Sequence, residues 1–84
     1  MQQVKRVFVG RMTTSREGPT KYEHFTTLEN MDGKQMTMWM HHEPERALYE
    51  ATEMAMFFGL EVEPLIIDGK TVELDDISKS MLRF

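Results

Sequence analysis

The stretch Glu29-Asn30-Met31-Asp32-Gly33-Lys34-Gln35 constrains this chain most, because it reverses direction between two runs of strand character. Asn30 suits the opening of a type I turn, and Gly33 suits the left-handed position of the bulge that closes a three-residue loop. That geometry pairs Asn30 with Lys34 and dictates the register outward. Leu28 then faces Met36, Thr26 faces Met38, His24 faces Met40 and Tyr22 faces His42. On the other face Thr27 meets Thr37, Phe25 meets Trp39 and Glu23 meets His41. A two-residue turn at Asp32-Gly33 would shift all of these pairs, since strand side chains alternate with period two.

The face with Tyr22, Leu28, Met36, Met38 and Met40 reads as core. A methionine stripe also suits an adaptable binding surface, but Leu28 and Tyr22 on the same face favour burial. The other face is polar except for Phe25 and Trp39. An aromatic pair ringed by charge has the anatomy of an interaction hot spot. Its structural counterpart is a second small core, covered by the terminal hairpin or tail.

The flanking segments extend this plan. Val4 to Met12 is rich in β-branched and aromatic residues and predicts a first strand, with Val7-Phe8-Val9 suited to cover on both faces. Gly18-Pro19 marks a loop before the second strand, Lys21 to Glu29. Pro44 fits the first helical position, with Glu43 and Glu45 at the positive helix start. Leu48, Ala51, Ala55 and Phe58, with Ala47 and Met54, recur at helical spacing, and Gly59 suits the residue just past the helix end. Asp68-Gly69 predicts a second hairpin, and Asp75 or Asp76 caps a short terminal helix through Ile77 and Met81. The expected fold is α+β over a single domain, residues 1–84. A small antiparallel sheet in the order β-β-β-α-β-β carries one amphipathic helix on one face, with a short C-terminal helix or tail.

Size bounds what such a fold can do. A chain of 84 residues buries a thin core, about 60% or slightly more of its unfolded surface. With no cysteine, disulfide stapling, thiol catalysis and cysteine zinc sites are excluded. The apolar run near the N-terminus, Val7 to Val9, is too short for a signal peptide, and Met54 to Leu60 is too short to span a bilayer. A cytoplasmic protein with no membrane association is expected. Residues 1–22 carry a balance of +4 and residues 23–84 a balance of −8. This asymmetry serves solubility, and it can also steer the acidic part toward a basic partner.

Candidate chemistry centres on His41-His42-Glu43. Neighbouring strand residues point to opposite faces, so the two histidines do not chelate one ion while the strand continues. The run also lacks the helical spacing of a zinc-protease motif. No nucleophile elbow, phosphate-binding loop or dinucleotide fingerprint occurs. Asp75-Asp76 is accounted for by helix capping. The expectation is therefore no catalytic residue, no metal and no cofactor.

The run Val4 to Met12, the threonine- and methionine-rich strands around an Asp-containing hairpin, the alanine-bearing helix and Val62 to Ile67 are together similar to the small antitoxins of the Dmd type carried by T-even bacteriophages. The resemblance covers residues 4 to about 67 in order of elements, and its sequence-like part is the first strand. It implies a phage protein acting in the host cytoplasm that blocks a host toxin ribonuclease by occupying its active-site groove. It carries no binding residue across.

The functional expectation is a non-enzymatic protein-binding inhibitor or regulator, with an antitoxin or anti-defence role as its most specific form. Phe25, Trp39, Glu23, His41 and Glu43 are its candidate partner-binding residues, and a host protein is the expected partner. One alternative is a nucleic-acid-binding domain that uses the basic N-terminal strand and loop with the aromatic sheet face. It is disfavoured because Glu23, Glu29 and Glu43 would repel phosphate. The other is a structural protein that pairs copies, as a homodimer or larger assembly, through a sheet edge.

Overall fold

The computed structural model describes residues 3–14, 18 and 20–82. The elements run β1 (Val4–Thr14), β2 (Lys21–Asn30), β3 (Gln35–His41), α1 (Pro44–Phe57), β4 (Ile66–Ile67), β5 (Lys70–Thr71) and α2 (Asp76–Met81). This is the expected α+β arrangement. The loop expected around Gly18-Pro19 lies largely outside the described residues.

The turn between β2 and β3 forms as its residues dictate. The Asn30 amide donates to Lys34 O at 2.9 Å, and the Asn30 side-chain oxygen accepts from the amides of Asp32 and Lys34, each at 3.0 Å. Gly33 takes a φ of 83°, which explains its place there. Asp68 and Gly69 both have positive φ, as a two-residue hairpin turn between β4 and β5 requires.

Strand order in the main sheet is β1-β2-β3, with β2 central and both pairings antiparallel. Near the turn the expected register holds, with Leu28 opposite Met36 and Thr27 opposite Thr37. Beyond it β3 gains one residue. Phe25 pairs with Met40 rather than Trp39, and His24 pairs with His41 rather than Met40. Two β3 residues, Met38 and Trp39, therefore occupy the space opposite Thr26 alone, which is a β-bulge. Every β3 side chain past the bulge changes face relative to the expected register.

Helix α1 begins at Pro44, whose missing amide costs nothing in a first turn. It ends in a Schellman motif: Gly59 N–H donates to Met56 O at 3.1 Å and Leu60 N–H to Ala55 O at 2.8 Å, with Gly59 at positive φ. Ala47, Leu48, Ala51 and Ala55 form its buried stripe. Val7 and Leu28 meet this stripe in the core, with Val4, Val9, Met54, Leu60 and Val62 packed around them. The Thr26 hydroxyl, fully buried, donates to Ala47 O at 3.3 Å.

The methionine core expected on β3 does not form. Helix α1 lies over β1 and β2 and touches β3 less. Leu28 is buried, but Tyr22, Met36 and Met40 are exposed and Met38 is only half-buried. Met36 shares Leu28's face but sits beyond the reach of the helix, whereas the bulge turns Met40 to the far face.

After α1 the chain passes along the free side of β1. Glu63 N–H donates to Val7 O at 3.0 Å, and its carboxylate takes the Arg6 guanidinium at 2.6 Å. That bond raises the Arg6 pKa above its ordinary value. At the far end Asp75 caps α2 by accepting from Ser78 N–H at 2.7 Å, which holds the Asp75 carboxyl below its ordinary pKa. The stabilising charge is present above the unfolded-state value and is lost as pH falls through the depressed one.

Burial separates the two kinds of apolar residue in this fold. Leu48→Ala should cost about 2–5 kcal/mol, as buried large-to-small changes do, while Met36→Ala, at 62% exposure, should stay within about 0.5 kcal/mol. Urea denaturation of both variants checks this. Acidification below the ordinary carboxyl range should also fray α2 before the sheet, read by amide exchange at Ser78 against Thr26.

Candidate functional site

The candidate partner-binding residues divide between two surfaces. Alternation along β2, read with the register, puts Glu23, Phe25, Thr27 and Glu29 on the sheet face turned away from α1. Three rows cross that face: Arg6-Glu29-Gln35, Phe8-Thr27-Thr37 and Gly10-Phe25-Met40. Phe25 is half-buried because its ring lies across Gly10. A Cβ built there would sit 2.4 Å from Phe25 Cε2, so the glycine makes room for the ring. The expected Phe25–Trp39 pair is thus replaced by Phe25 over Gly10 with Met40 beside it.

Trp39 stands in the bulge and is 78% exposed. With Met40 at 54%, it makes the second half of β3 an apolar strand offered to solvent. No Lys, Arg, Asp or Glu occurs from Gln35 to His41. Sheet edges of natural proteins are usually blunted by charge, proline or cover. The other edge, β1, carries Lys5, Arg6 and Arg11 and is partly closed by Glu63.

His41 and His42 do point apart, but with their partners exchanged. The bulge puts His41 on the α1 side, opposite His24, with its Nε2 3.7 Å from Glu50. It is His42, not His41, that meets Glu23, at 3.0 Å. His24 is buried, with its Nδ1 at 3.2 Å from His42 O. His24 Nε2, His41 Nε2 and Glu50 Oε1 are buried with no hydrogen-bond partner in the protein. Among the described residues no group of three or more His, Cys, Asp or Glu is arranged to hold a metal ion.

Glu43 precedes the first turn of α1 and pairs with Arg46 at 3.3 Å. It opens a groove of about 630 Å³ between α1 and α2, in which His41, Glu43, Glu45, Glu50, Glu53 and Asp75 take part. The carboxylates outnumber the groove's single arginine, Arg46, so its field is negative. The sequence analysis did not single out Glu50 and Glu53, because carboxylates on an amphipathic helix ordinarily mark its solvated side. Their spacing with Glu45 on α1, just after Glu43, was the available signal.

The basic N-terminal strand is largely engaged within the molecule. Lys5 and Arg6 both pair with Glu29, at 3.8 and 3.7 Å. The Arg6 guanidinium also covers the Phe8 ring at 4.2 Å, and Arg11 covers Tyr22 at 3.7 Å. Arg16, the remaining arginine of that cluster, lies outside the described residues. No helix among the described residues is long and apolar enough to cross a membrane.

No protein-family model, curated protein or solved structure matches this chain significantly.

Because Phe25 rests on Gly10, Gly10→Ala should displace the ring and destabilise the sheet by about 1–3 kcal/mol, the usual range for overpacking. Loss of the ring-current shift on the residue-10 α-proton in NMR spectra, with a lowered denaturation midpoint, checks this.

Proposed function

We propose that this chain is a small non-enzymatic protein-binding inhibitor or regulator that acts by blocking a partner. The observation carrying this reading is the exposure of Trp39, at 78%, on an uncharged strand. Tryptophan is enriched among residues that anchor interfaces, and leaving one in water wastes its large apolar surface. Met40 beside it supplies adaptable contact area. The carboxylates of Glu43, Glu50 and Glu53 lie in the groove that borders the end of β3 through His41. A partner that pairs an apolar pocket with neighbouring lysine or arginine fits this combination.

The most specific form of the reading is an antitoxin or anti-defence protein of phage origin that occupies the working groove of a host protein. Its support is the resemblance of the first strand and element order to the Dmd-type antitoxins. In that form Trp39 enters the partner's pocket and the carboxylates of α1 meet its basic rim. Phe25 and Glu23 contribute from the neighbouring sheet face and His41 from the junction. The nucleic-acid reading is weakened by the engagement of Lys5, Arg6 and Arg11 within the molecule and by the acidity of the groove.

The test uses the intact chain and its Trp39→Ala variant as matched baits, then measures affinity for the captured protein. Trp39→Ala should leave unfolding free energy within about 0.5 kcal/mol and weaken binding by at least about 2 kcal/mol. Free-protein emission should be red-shifted and quenched by iodide, with protection on complex formation. Equal affinity of both baits for every captured protein would remove Trp39 as the anchor. Retained activity of the saturated partner would overturn the inhibitor role.

A further inference from the structure

The ladder between β2 and β3 fixes which backbone groups of β3 face outward. The Asn30 amide bonds Lys34 O, so these two residues form a hydrogen-bonded pair. Alternation makes Leu28–Met36 the next such pair and leaves Glu29–Gln35 and Thr27–Thr37 as the non-bonded ones. The amides and carbonyls of Gln35 and Thr37 therefore point away from β2. The same parity puts the Val7 carbonyl on the outer side of β1, and Glu63 N–H is found there at 3.0 Å. No backbone group among the described residues covers Gln35 and Thr37 in this way. A row of unpaired backbone groups along an edge is a template for a further strand.

The two edges of the sheet differ in charge. Lys5, Arg6 and Arg11 lie along β1, whereas β3 carries no charge from Gln35 to His41. Lys34 stands just before β3, and Glu43, Glu45, Glu50 and Glu53 gather with His41 at its other end. The bulge at Met38-Trp39 breaks the outward spacing, so the regular template ends at Thr37 and Trp39 flanks it.

We propose that the edge of β3 binds an extended, basic segment of a partner protein as an added antiparallel strand. This rests on the binding role argued above and states how the partner is held. Backbone bonds to Gln35 and Thr37 give the segment its place. Charge selects it and sets its direction. A basic residue about three or four positions before the one that faces Thr37 reaches the carboxylates, at about 3.3 Å per residue. Basic residues at the segment's other end would meet Lys34 instead, and an acidic segment would meet like charge at the groove. Copies of this chain, each of net charge −4, repel one another, so a second copy suits the edge less well.

Amide exchange of the intact chain, read by NMR, tests this. In the free protein Gln35 and Thr37 should exchange faster than Met36, whose amide points toward β2. The probe is a blocked eight-residue peptide, two lysines followed by alternating valine and threonine. At saturation it should slow exchange at Gln35 and Thr37 by at least about tenfold. A peptide with glutamates for the lysines, and one with the lysines at its C-terminal end, should each bind at least about fivefold more weakly. N-methylation of alternate peptide residues should abolish binding in one phase and spare it in the other, because a strand added to an edge bonds along one side only. Thr37→Pro removes an outward amide and no bond to β2, so it should fold and lose the peptide. If the proline unfolds the sheet, the methylated peptides decide the same point on the parent chain. A peptide that leaves both amides unprotected overturns the proposal. So does equal binding of the glutamate or reversed peptide, tolerance of both methylation phases, or a folded Thr37→Pro that still binds. Protection of Gln35 and Thr37 in the free chain, rising with concentration as the mass doubles, gives the edge to a second copy and overturns it too. Each of these failures leaves the Trp39 anchor standing. Loss of the anchor with the peptide results intact removes the anchor alone.

Discussion

Helix α1 lies against the sheet through three alanines, and the rest of the molecule is arranged around that close approach. Ala47, Ala51 and Ala55 are fully or almost fully buried, and Thr26 sends its hydroxyl into the helix to bond Ala47 O. Side chains this small let the helix settle low over β1 and β2. A buried threonine with its hydroxyl satisfied costs little, whereas one left without a partner is expensive. The core is consequently made of alanine, valine and leucine. The larger residues, Trp39, Phe57, Met31 and Met36, are left outside. A chain of this length has too little interior to take in both sets.

Legibility followed the range of the interaction. Asn30 and Gly33 specify their turn through contacts within five residues, and the turn forms as read. Pro44, Gly59 and the alanine spacing likewise act locally, so the bounds of α1 were readable. The bulge at Met38-Trp39 was not. A period-two pattern on β3 looks the same with or without an added residue, and nothing in Met36-Thr37-Met38-Trp39-Met40 marks the insertion. That one residue undid the Phe25–Trp39 pairing, brought His41 to Glu50 and turned Met40 outward. The lateral position of α1 was equally hidden, because a helix's apolar stripe says that it packs on a sheet but not over which strands. Of the candidate site, Trp39 and Glu43 could be named from sequence, whereas the groove formed with Glu50, Glu53 and Asp75 depends on how α1 and α2 meet.

The charge asymmetry of the chain takes on a different meaning in three dimensions. Much of the positive N-terminal segment is spent on the molecule itself: Lys5 and Arg6 answer Glu29, Arg6 also answers Glu63, and Arg11 lies on Tyr22. These partly exposed contacts add little stability individually. Of these, the Arg6–Glu63 pair, with Glu63 N–H on Val7 O, ties the post-helix segment to the outer side of β1, so that edge is both charged and partly covered. Most of what remains outward-facing is acidic, concentrated where α1 starts. The molecule is thus closed on one edge of its sheet and open on the other.

The division between a small-residue core and a methionine-bearing exterior also sets how the protein meets oxidants. Thioether oxidation turns a flexible apolar side chain into a polar one, and accessible methionines react first. Here Met31, Met36, Met40 and Met81 are accessible, while the buried hydrophobic residues, Val7, Leu28, Ala47, Leu48, Ala51, Ala55 and Leu65, contain no sulfur. Peroxide would therefore recast the outside of β3 from apolar to polar before it reached Met54, which packs half-buried against the core. The same placement makes the change open to reversal by sulfoxide reductases, which need the oxidised side chain within reach.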